Sequence, residues 1–286
     1  PPPDSPTTRA GPPSSGETVV PGGNHPGGSE GDTMEPFGRA STGIPGLDRT
    51  IDHLRLGDNV VWQVDSVADF ARVVAPYVAH AVAQGRTIHY LHFSPGQALV
   101  EADTPGVVIH RLDPSQGFEV FATRVHRLIE AFGTGAYYLF DCLTDLLDVW
   151  HSDLMVMNLF DVTCPSLFDL DTIAYFCLLR GHHTATTVAG IRETTQLLLE
   201  LHDIDGELYV HPLKVWARYS PTMFFPHRLD GDDVHPITSS AESARLFSAL
   251  GGRATTRDHW DQLTDRVRQA AQEGGEAARR ARDLLI

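Results

Sequence analysis

Short apolar runs alternate with amphipathic segments through the middle of the chain, and this alternation limits the possible folds more than any other feature. Val, Ile, Tyr and Phe are frequent in four runs that predict strands, at Asn59–Val64, Arg86–Phe93, Gly106–Asp113 and Ala136–Leu143. Strands that alternate with helices build mostly parallel sheets, because each parallel connection needs a crossover, usually a helix. The chain is therefore predicted to be an α/β protein with a mostly parallel sheet and helices on both faces.

The segments between and after these strands predict the remaining elements. Apolar residues from Val67 to Val82 recur at helical spacing, and Phe118–Phe132 has an amphipathic pattern that Gly133 ends. Further helices are predicted near 151–163 and 169–180, at the amphipathic Glu193–His202, and in two C-terminal segments, Ser239–Leu250 and Asp258–Ile286. A last strand is predicted at Glu207–Val215.

Composition divides the chain into three parts. Residues 1–38 contain nine Pro and eight Gly with almost no aliphatic side chains, so this segment is predicted to be a disordered tail. Residues 39–235 carry the strand and helix pattern and are predicted to form one domain. Residues 236–286 are predicted to be a C-terminal helical extension.

The charge balance excludes two classes of partner. Subtracting 37 acidic residues from 22 basic ones gives a formal net charge of −15, which repels the polyanionic surfaces of nucleic acids and anionic membranes. The sequence has no apolar run long enough for a membrane span and no apolar core of a secretory signal. Its three isolated Cys residues indicate neither disulfides nor a zinc site. We therefore expect a cytoplasmic protein that binds neither nucleic acid nor membrane.

The turn after the first predicted strand lacks the residues of a phosphate-binding loop. Such a loop needs glycines whose amides approach the phosphate and a Lys that meets the β- and γ-phosphates. Residues 63–70 contain neither, and the one Lys of the chain is Lys214. Ser66 and Asp69 instead have the spacing of a capping box, and Asp65 adds negative charge where a phosphate would bind. This turn is predicted to be an ordinary capped helix start.

Two other strand ends carry polar residues. Asp141 ends the apolar run Tyr137–Asp141, and such an Asp orients magnesium in many nucleotide-binding sheets. Ser94 and Pro95 follow the second strand, where an attacking water would need a carboxylate to activate it. The strand ends therefore offer one candidate metal ligand and no general base.

The histidines give little support for a metal site. His89 and His92 lie three apart on a strand, so they are predicted to face opposite sides of the sheet. His182 and His183 are predicted to face solvent as a pair at the end of a helix. Three acidic residues around a predicted loop at Cys164-Pro165 would cap turns or bind a divalent cation: Asp161, Asp169 and Asp171.

Aromatic residues and prolines are interleaved late in the chain, over Tyr219–Pro226. This pattern is predicted to form an edge hairpin that packs on the sheet. The alternative is a docking surface for a partner.

Several segments resemble the RecA-like ATPase domains of the circadian-clock KaiC type. They are Gly43–Asp48 (GIPGLD), Arg55–Asp58 (RLGD), Asp141 at the place of the magnesium-orienting Asp, and His211–Arg218, which is similar to the Lys-x-x-x-Arg stretch near that domain's end. A divergent subgroup of that family, found fused to or alongside phosphoenolpyruvate synthase-like phosphotransferases, is more similar still. The segments that carry this closer similarity are Gly57–Asp65, Phe140–Leu146, Arg192–Gln196 and His211–Met223.

The resemblance spans about 39–235 and implies a RecA-like fold of the P-loop NTPase type. The chain departs from active members at two places: residues 63–70 replace the phosphate loop, and Ser94-Pro95 replace the glutamate pair that usually ends the second strand. Together these losses remove most of the electrostatic stabilisation of a transferring phosphoryl group. The resemblance therefore implies a pseudoenzyme that needs no cofactor and regulates or scaffolds a phosphoenolpyruvate synthase-like partner or another protein.

Ten residues are expected at or near the edge that would have held the nucleotide, and this edge is predicted to have become a partner-binding surface. They are Asp65, Ser66, Asp69, Ser94, Asp141, Asp145, Arg192, Glu193, Lys214 and Arg218. In the family, the late Lys-x-x-x-Arg residues face a neighbouring subunit. The resemblance therefore also implies that Lys214 and Arg218 lie at a boundary of a homo-oligomer or at an anion site. The alternative is that Lys214 forms an ordinary ion pair on a strand.

Two alternative functions remain open. An ATP-dependent phosphotransferase or ATPase with an unorthodox site would bind ATP and magnesium, with Asp141 as metal ligand and Lys214 and Arg218 as catalytic residues. A metal-dependent hydrolase would instead use the His and Asp residues.

Overall fold

The computed structural model describes residues 39–254, with side chains through Gly251. The tail predicted over 1–38 and the helix predicted at Asp258–Ile286 lie outside the described residues. In chain order the elements are α1 (Pro45–Thr50), β1 (Asn59–Val64), α2 (Val67–Ala83), β2 (Ile88–His92), β3 (Val107–Arg111), α3 (Phe118–Phe132), β4 (Tyr137–Cys142), α4 (Asp145–Trp150), α5 (Asp153–Asp169), β5 (Ile173–Leu179), α6 (Ala185–Thr194), β6 (Leu197–Ile204), β7 (Glu207–Val215), β8 (His227–Asp230), β9 (Asp233–Pro236) and α7 (Ser240–Ala254).

The strands form one mixed sheet in the order β3-β2-β4-β5-β1-β6-β7-β8-β9. The neighbours from β3 to β6 in that order are parallel. β7, β8 and β9 continue the sheet with antiparallel pairing. The predicted α/β class with a mostly parallel sheet is confirmed.

Two apolar layers cover the sheet, one on each face. Helices α1 and α2 bury Leu47 and Phe70 in the first layer. Helices α3, α5 and α6 bury Phe121, Phe160 and Ile191 in the second. Because β1, β4 and β5 lie between the two layers, nearly all of their residues are buried.

Two segments predicted as helices are strands. The segment near 169–180 contains β5, and Glu193–His202 contains the end of α6 followed by most of β6. Both strands lie near the centre of the sheet, where burial on both faces removes the two-residue alternation of a half-buried strand. Periodicity alone could therefore not separate these buried strands from buried helices.

The loop predicted around Cys164-Pro165 is instead part of helix α5, although proline cannot donate to the preceding turn. Apolar side chains on both sides of Pro165 anchor the helix in the second layer. The Nδ2 of Asn59 also donates to the Cys164 carbonyl at 3.1 Å. Asp161 lies within the helix, where its Oδ1 accepts a hydrogen bond from Thr194 at 2.9 Å. It joins α5 to α6 rather than capping a loop.

The segment Tyr219–Pro226 is not the predicted hairpin. It is a loop of turns between β7 and β8, and the hairpin at this edge is formed by β8 and β9. Tyr219, Phe224 and Phe225 are exposed on this loop. The aromatic side chains are therefore displayed at the surface instead of packed on the sheet.

At the carboxyl ends of β1 and β5 the two connections leave for opposite faces of the sheet, and we call this position the crevice. The chain leaves β1 for α2 in the first layer and leaves β5 for α6 in the second. In open α/β sheets, ligands bind where neighbouring connections leave for opposite faces. The crevice is therefore the position in this fold where a ligand is expected.

Candidate functional site

The structure divides the ten candidate residues between the two ends of the sheet. Six of them follow or end parallel strands and therefore lie at the carboxyl end: Asp65, Ser66, Asp69, Ser94, Asp141 and Asp145. The other four lie at the amino end of the same strands: Arg192, Glu193, Lys214 and Arg218. The expectation that all ten share one edge is wrong.

Strand direction explains this division. Strand β7 runs antiparallel to β6, so Lys214 pairs with Leu198 near the start of β6. Arg192 and Glu193 belong to the last turn of α6, which carries the chain back to the amino end before β6 begins. This reversal could not be foreseen from the sequence, because the segment that contains β6 was predicted to be a helix.

Lys214 holds the end of helix α6. Its Nζ donates to the carbonyl oxygens of Arg192 at 2.6 Å and Glu193 at 2.9 Å. These carbonyls lie in the last turn of the helix, where a cation is favoured by the helix dipole. Burial, and then the nearby Arg192, lower the pKa of Lys214. Its ammonium group is thus engaged within the chain rather than presented to a phosphate.

Arg218 is buried in an ion pair with Asp58, just before β1. Its guanidinium group also donates to the His53 carbonyl at 2.6 Å and to the Trp216 carbonyl at 3.2 Å. These bonds tie the loop after β7 to the segment that enters β1. Arg218 therefore has a structural role that its charge alone did not predict.

Asp141 ends β4 at the carboxyl edge, as predicted, and its carboxylate is already surrounded by donors. The Tyr90 hydroxyl donates to Oδ1. Oδ2 lies 2.7 Å from His92 Nδ1 and accepts from the amides of Phe93 at 2.7 Å and Ser94 at 2.8 Å. Four protein groups thus occupy the positions around the carboxylate where a metal ion and its water ligands would bind.

Ser94 and Asp145 continue this network. The Ser94 hydroxyl donates to the carboxylate of Asp145 at the start of α4. Burial raises the pKa of Asp145, opposed by the Ser94 hydrogen bond, and the charges of Asp141 and Asp148 raise it further. The loop after β2 is therefore bound to Asp141 in β4 and to Asp145 at the start of α4.

The turn after β1 has the predicted capping arrangement. Ser66 is the N-cap of α2, and its hydroxyl accepts a hydrogen bond from the Asp69 amide at 3.2 Å. The same hydroxyl donates to Asp69 Oδ2 at 2.8 Å. The helix start thus uses its own side chains where a phosphate loop would offer amides to a ligand.

Arg180, which sequence reasoning missed, crosses the crevice itself. It directly follows β5, and its guanidinium group forms an ion pair with Asp65 at the end of β1. It also donates to the Gln63 carbonyl at 3.1 Å and the Leu201 carbonyl at 3.3 Å. The basic residue after β5 could have been noticed, but the helix predicted over 169–180 concealed that it follows a strand.

A second group of polar residues lies beside Arg180. Glu200 Oε2 is 3.5 Å from His202 Nε2 and 3.4 Å from His211 Nδ1, and Glu200 Oε1 is 3.7 Å from Arg180. Burial raises the pKa of Glu200, but the two histidines and Arg180 outweigh it, so that the net direction is strongly downward. The negative charge of Glu200 is therefore stabilised by neighbouring groups of the protein itself.

The candidate metal residues are scattered. His89 contacts His110 and His92 contacts Asp141, on opposite faces of the sheet as predicted. The expectation that His183 faces solvent at a helix end is wrong. It lies in the loop before α6, with its side chain buried between Asp153 at 2.6 Å and Thr144 at 2.8 Å. Within residues 39–254, no cluster of three or more His, Cys, Asp or Glu residues is suited to a metal ion.

Comparison with known proteins adds no relative. No family model matches the chain, and the curated proteins contain no significant match. Among the described residues, no helix combines the length and apolar character needed to cross a membrane.

Proposed function

We propose that the chain is a degenerate RecA-like module of the KaiC type that does not hydrolyse nucleotide. It acts as a regulatory or scaffolding partner of a phosphoenolpyruvate synthase-like phosphotransferase. The observation that carries this proposal is the engagement of Asp141 by four donors of its own chain. The resemblance over 39–235 supplies the family and the class of partner.

Magnesium would have to displace this network. Hydrogen bonds to a charged group contribute about 1.5–3 kcal/mol each, and magnesium demands near-octahedral oxygen ligands that include several waters. The Phe93 and Ser94 amides and the Tyr90 hydroxyl would lose their acceptor if the ion took their place. The Asp141 site therefore favours the metal-free state.

The crevice is equally unsuited to a triphosphate. Asp65 places a carboxylate at the end of β1, and Arg180 is neutralised by it rather than free to meet a phosphate. The Asp69 amide of the α2 start is satisfied by the Ser66 hydroxyl. A phosphate would meet repulsion and few open donors.

The strand order supports the RecA-like part of the proposal, because it differs from the orders of two other nucleotide-binding sheets. β1 lies between β5 and β6 and is separated from β2 by two other strands. In the dinucleotide-binding and flavodoxin-like orders, β1 lies directly beside β2. Those two nucleotide-binding classes therefore do not account for this sheet.

The ATP-dependent alternative needs Asp141, Lys214 and Arg218 in one site, and a single chain does not bring them together. Lys214 and Arg218 lie at the opposite end of the sheet from Asp141 and are bound to α6 and to Asp58. The metal-dependent hydrolase has no cluster of ligands among residues 39–254. Neither alternative has an observation in its favour.

The pseudoenzyme assignment and the partner assignment are tested separately. Titration calorimetry with magnesium-ATP is expected to give at best millimolar affinity, and steady-state assays are expected to show no hydrolysis. A micromolar dissociation constant would overturn the pseudoenzyme assignment.

The partner is tested by binding of the chain to a purified phosphoenolpyruvate synthase-like phosphotransferase from the same source. The turnover of that enzyme is also compared with and without the chain. No binding and unchanged turnover would refute the partner assignment.

A further inference from the structure

Strand β3 is an edge of the sheet, and within residues 39–254 no strand pairs with its outer side. The amide of Leu112 donates to the His92 carbonyl at 2.9 Å, which shows which residues of β3 face β2. Because alternate residues of a parallel ladder face the neighbouring strand, Ile109 and Arg111 direct their N–H and C=O groups outward. Such groups are ready to pair with another extended chain.

A surface groove of about 470 Å³ lies beside this edge, between β3 and α3. Three arginines line it, Arg111 from β3 and Arg124 and Arg127 from α3. Arg124 donates to the Gln116 side chain at 2.8 Å. Among residues 39–254, none of the three forms an ion pair with a carboxylate. Three arginines on one groove contrast with the net charge of −15.

The other polar residues near the groove do not cancel this charge. The Asp113 carboxylate accepts hydrogen bonds from the Ser115 hydroxyl at 2.6 Å and from the Gln116 side chain at 3.0 Å. Those bonds lower its pKa, so it remains a carboxylate at neutral pH. Burial lowers the pKa of His110, so this ring is neutral at the same pH. The residues that line the groove thus include three guanidinium groups and no carboxylate, so the groove is positive.

We propose that the β3 edge binds an extended acidic segment of a partner protein, which adds a strand to the sheet and sets its carboxylates against the groove arginines. Main-chain hydrogen bonds to Ile109 and Arg111 would supply affinity, and pairing with Arg124 and Arg127 would supply selectivity. The inference rests on the proposed function only in that a protein is bound. The β3 edge is a different surface from the crevice, so this inference and the proposed function can fail separately.

A second explanation for the arginines is that they only keep the edge from pairing with other chains, as charged residues often do. That explanation predicts no affinity for an acidic strand. The two explanations therefore differ in a direct binding measurement.

The test uses a fluorescein-labelled peptide of about ten residues, a common strand length, with alternating Glu and Val. Fluorescence anisotropy with the full chain is expected to show binding that weakens as salt is added. The double variant Arg124→Glu/Arg127→Glu is expected to weaken binding by at least tenfold. The double variant Arg49→Glu/Arg245→Glu changes the net charge equally on other elements and should bind as the parent does.

A second pair of variants tests strand addition. Arg111→Ala removes the cation, whereas Arg111→Pro also removes the outward N–H while sparing the bonds to β2. The proline variant should bind the peptide more weakly than the alanine variant, with circular dichroism confirming that both are folded. Equal binding by these two variants would reject strand addition. Absence of binding, or equal binding of a peptide of alternating Lys and Val, would overturn the proposal, whatever the magnesium-ATP titration shows.

Discussion

Residues at the strand ends are held by partners that are distant in the chain. Tyr90 and His92 lie 51 and 49 residues before Asp141, and Asp153 lies 30 residues before His183. The sequence could predict that Asp141 ends a strand, because the apolar run before it is local information. It could not predict which donors the pairing of β2 with β4 brings to that carboxylate. The position of Asp141 at the end of a strand was therefore predictable, whereas the groups that surround its carboxylate were not.

The Asp141 network leads to a stability prediction. Asp141→Asn keeps the size of the side chain but replaces one acceptor oxygen with a donor that faces groups already donating. The free energy of unfolding is expected to fall by roughly 3 kcal/mol, since buried donors lose a charged acceptor. Urea denaturation measures this change, and the exposed Asp148→Asn on α4 serves as control. Undiminished stability of the Asp141 variant would show that the carboxylate is free for another ligand.

The contact between His89 and His110 makes stability depend on pH. Burial, and then the charge of His110, lower the pKa of His89 from 6.5 to about 4. The unfolded chain therefore binds a proton on this residue at a higher pH than the folded chain, so stability falls as pH drops from about 6.5 to 4. We expect a loss of up to about 2 kcal/mol from this residue, less than the full shift because solvent screens part of the charge.

The His89→Gln variant tests this dependence, because glutamine does not titrate. Chemical denaturation at several pH values between 7 and 4.5 should show a flatter stability profile for His89→Gln than for the parent chain. His235→Gln replaces an exposed histidine on β9 and should leave the profile unchanged. Parallel profiles for the parent and His89→Gln would contradict the assignment.

Among the elements, helix α3 and the buried strands β1 and β4 were predictable, whereas strands β5 and β6 were not. Helix α3 was predicted with its observed bounds, since one face is apolar and Gly133 follows its last residue. Strands β5 and β6 were taken as helical because burial on both faces leaves no two-residue alternation, and periodicity alone does not separate such a strand from a buried helix. The loss of β5 also concealed Arg180, so an error in one element became an error in the site. The capped start of α2 was recovered because capping is a local pattern.

The start of α2 provides a test at the scale of an element. Ser66→Ala removes the side-chain acceptor of the Asp69 amide and is expected to lower the free energy of unfolding by about 1 kcal/mol. Ser66→Asp retains an N-cap acceptor but places it beside Asp69, so it should recover only part of that loss. Urea midpoints compare the three chains. If Ser66→Ala is as stable as the parent, the turn after β1 is not held by its cap and could rearrange around a ligand.

At the scale of the whole molecule, the polar residues at the two ends of the sheet connect different elements. At the carboxyl end, Arg180, Asp141 and their partners join the strand ends to one another. At the amino end, Lys214 and Arg218 join β7 and its following loop to α6 and to the entry of β1. A single-chain nucleotide site would have required these groups to converge, and the antiparallel direction of β7 keeps them apart.

This separation predicts how the whole protein responds to magnesium-ATP during thermal unfolding. A ligand present at its own dissociation constant stabilises the native state by only about 0.4 kcal/mol, whereas one at a hundredfold excess contributes about 2.7 kcal/mol. For a domain of this size, 1 kcal/mol shifts Tm by about 2–4 °C. Millimolar magnesium-ATP should therefore raise Tm by about 1 °C if affinity is millimolar, and by roughly 5–10 °C if the dissociation constant is a hundredfold lower.

Differential scanning calorimetry at fixed protein and magnesium concentrations distinguishes these outcomes. The Asp65→Gly variant removes the carboxylate at the end of β1 but restores neither the missing lysine nor the missing glycine-rich backbone. Its Tm is therefore also expected to be insensitive to the nucleotide. Magnesium with sodium sulfate at matched ionic strength controls for general salt effects on charged groups. A shift above 5 °C with magnesium-ATP but not with the salt control would show that a tight nucleotide site forms despite the Asp141 network and the Arg180–Asp65 ion pair.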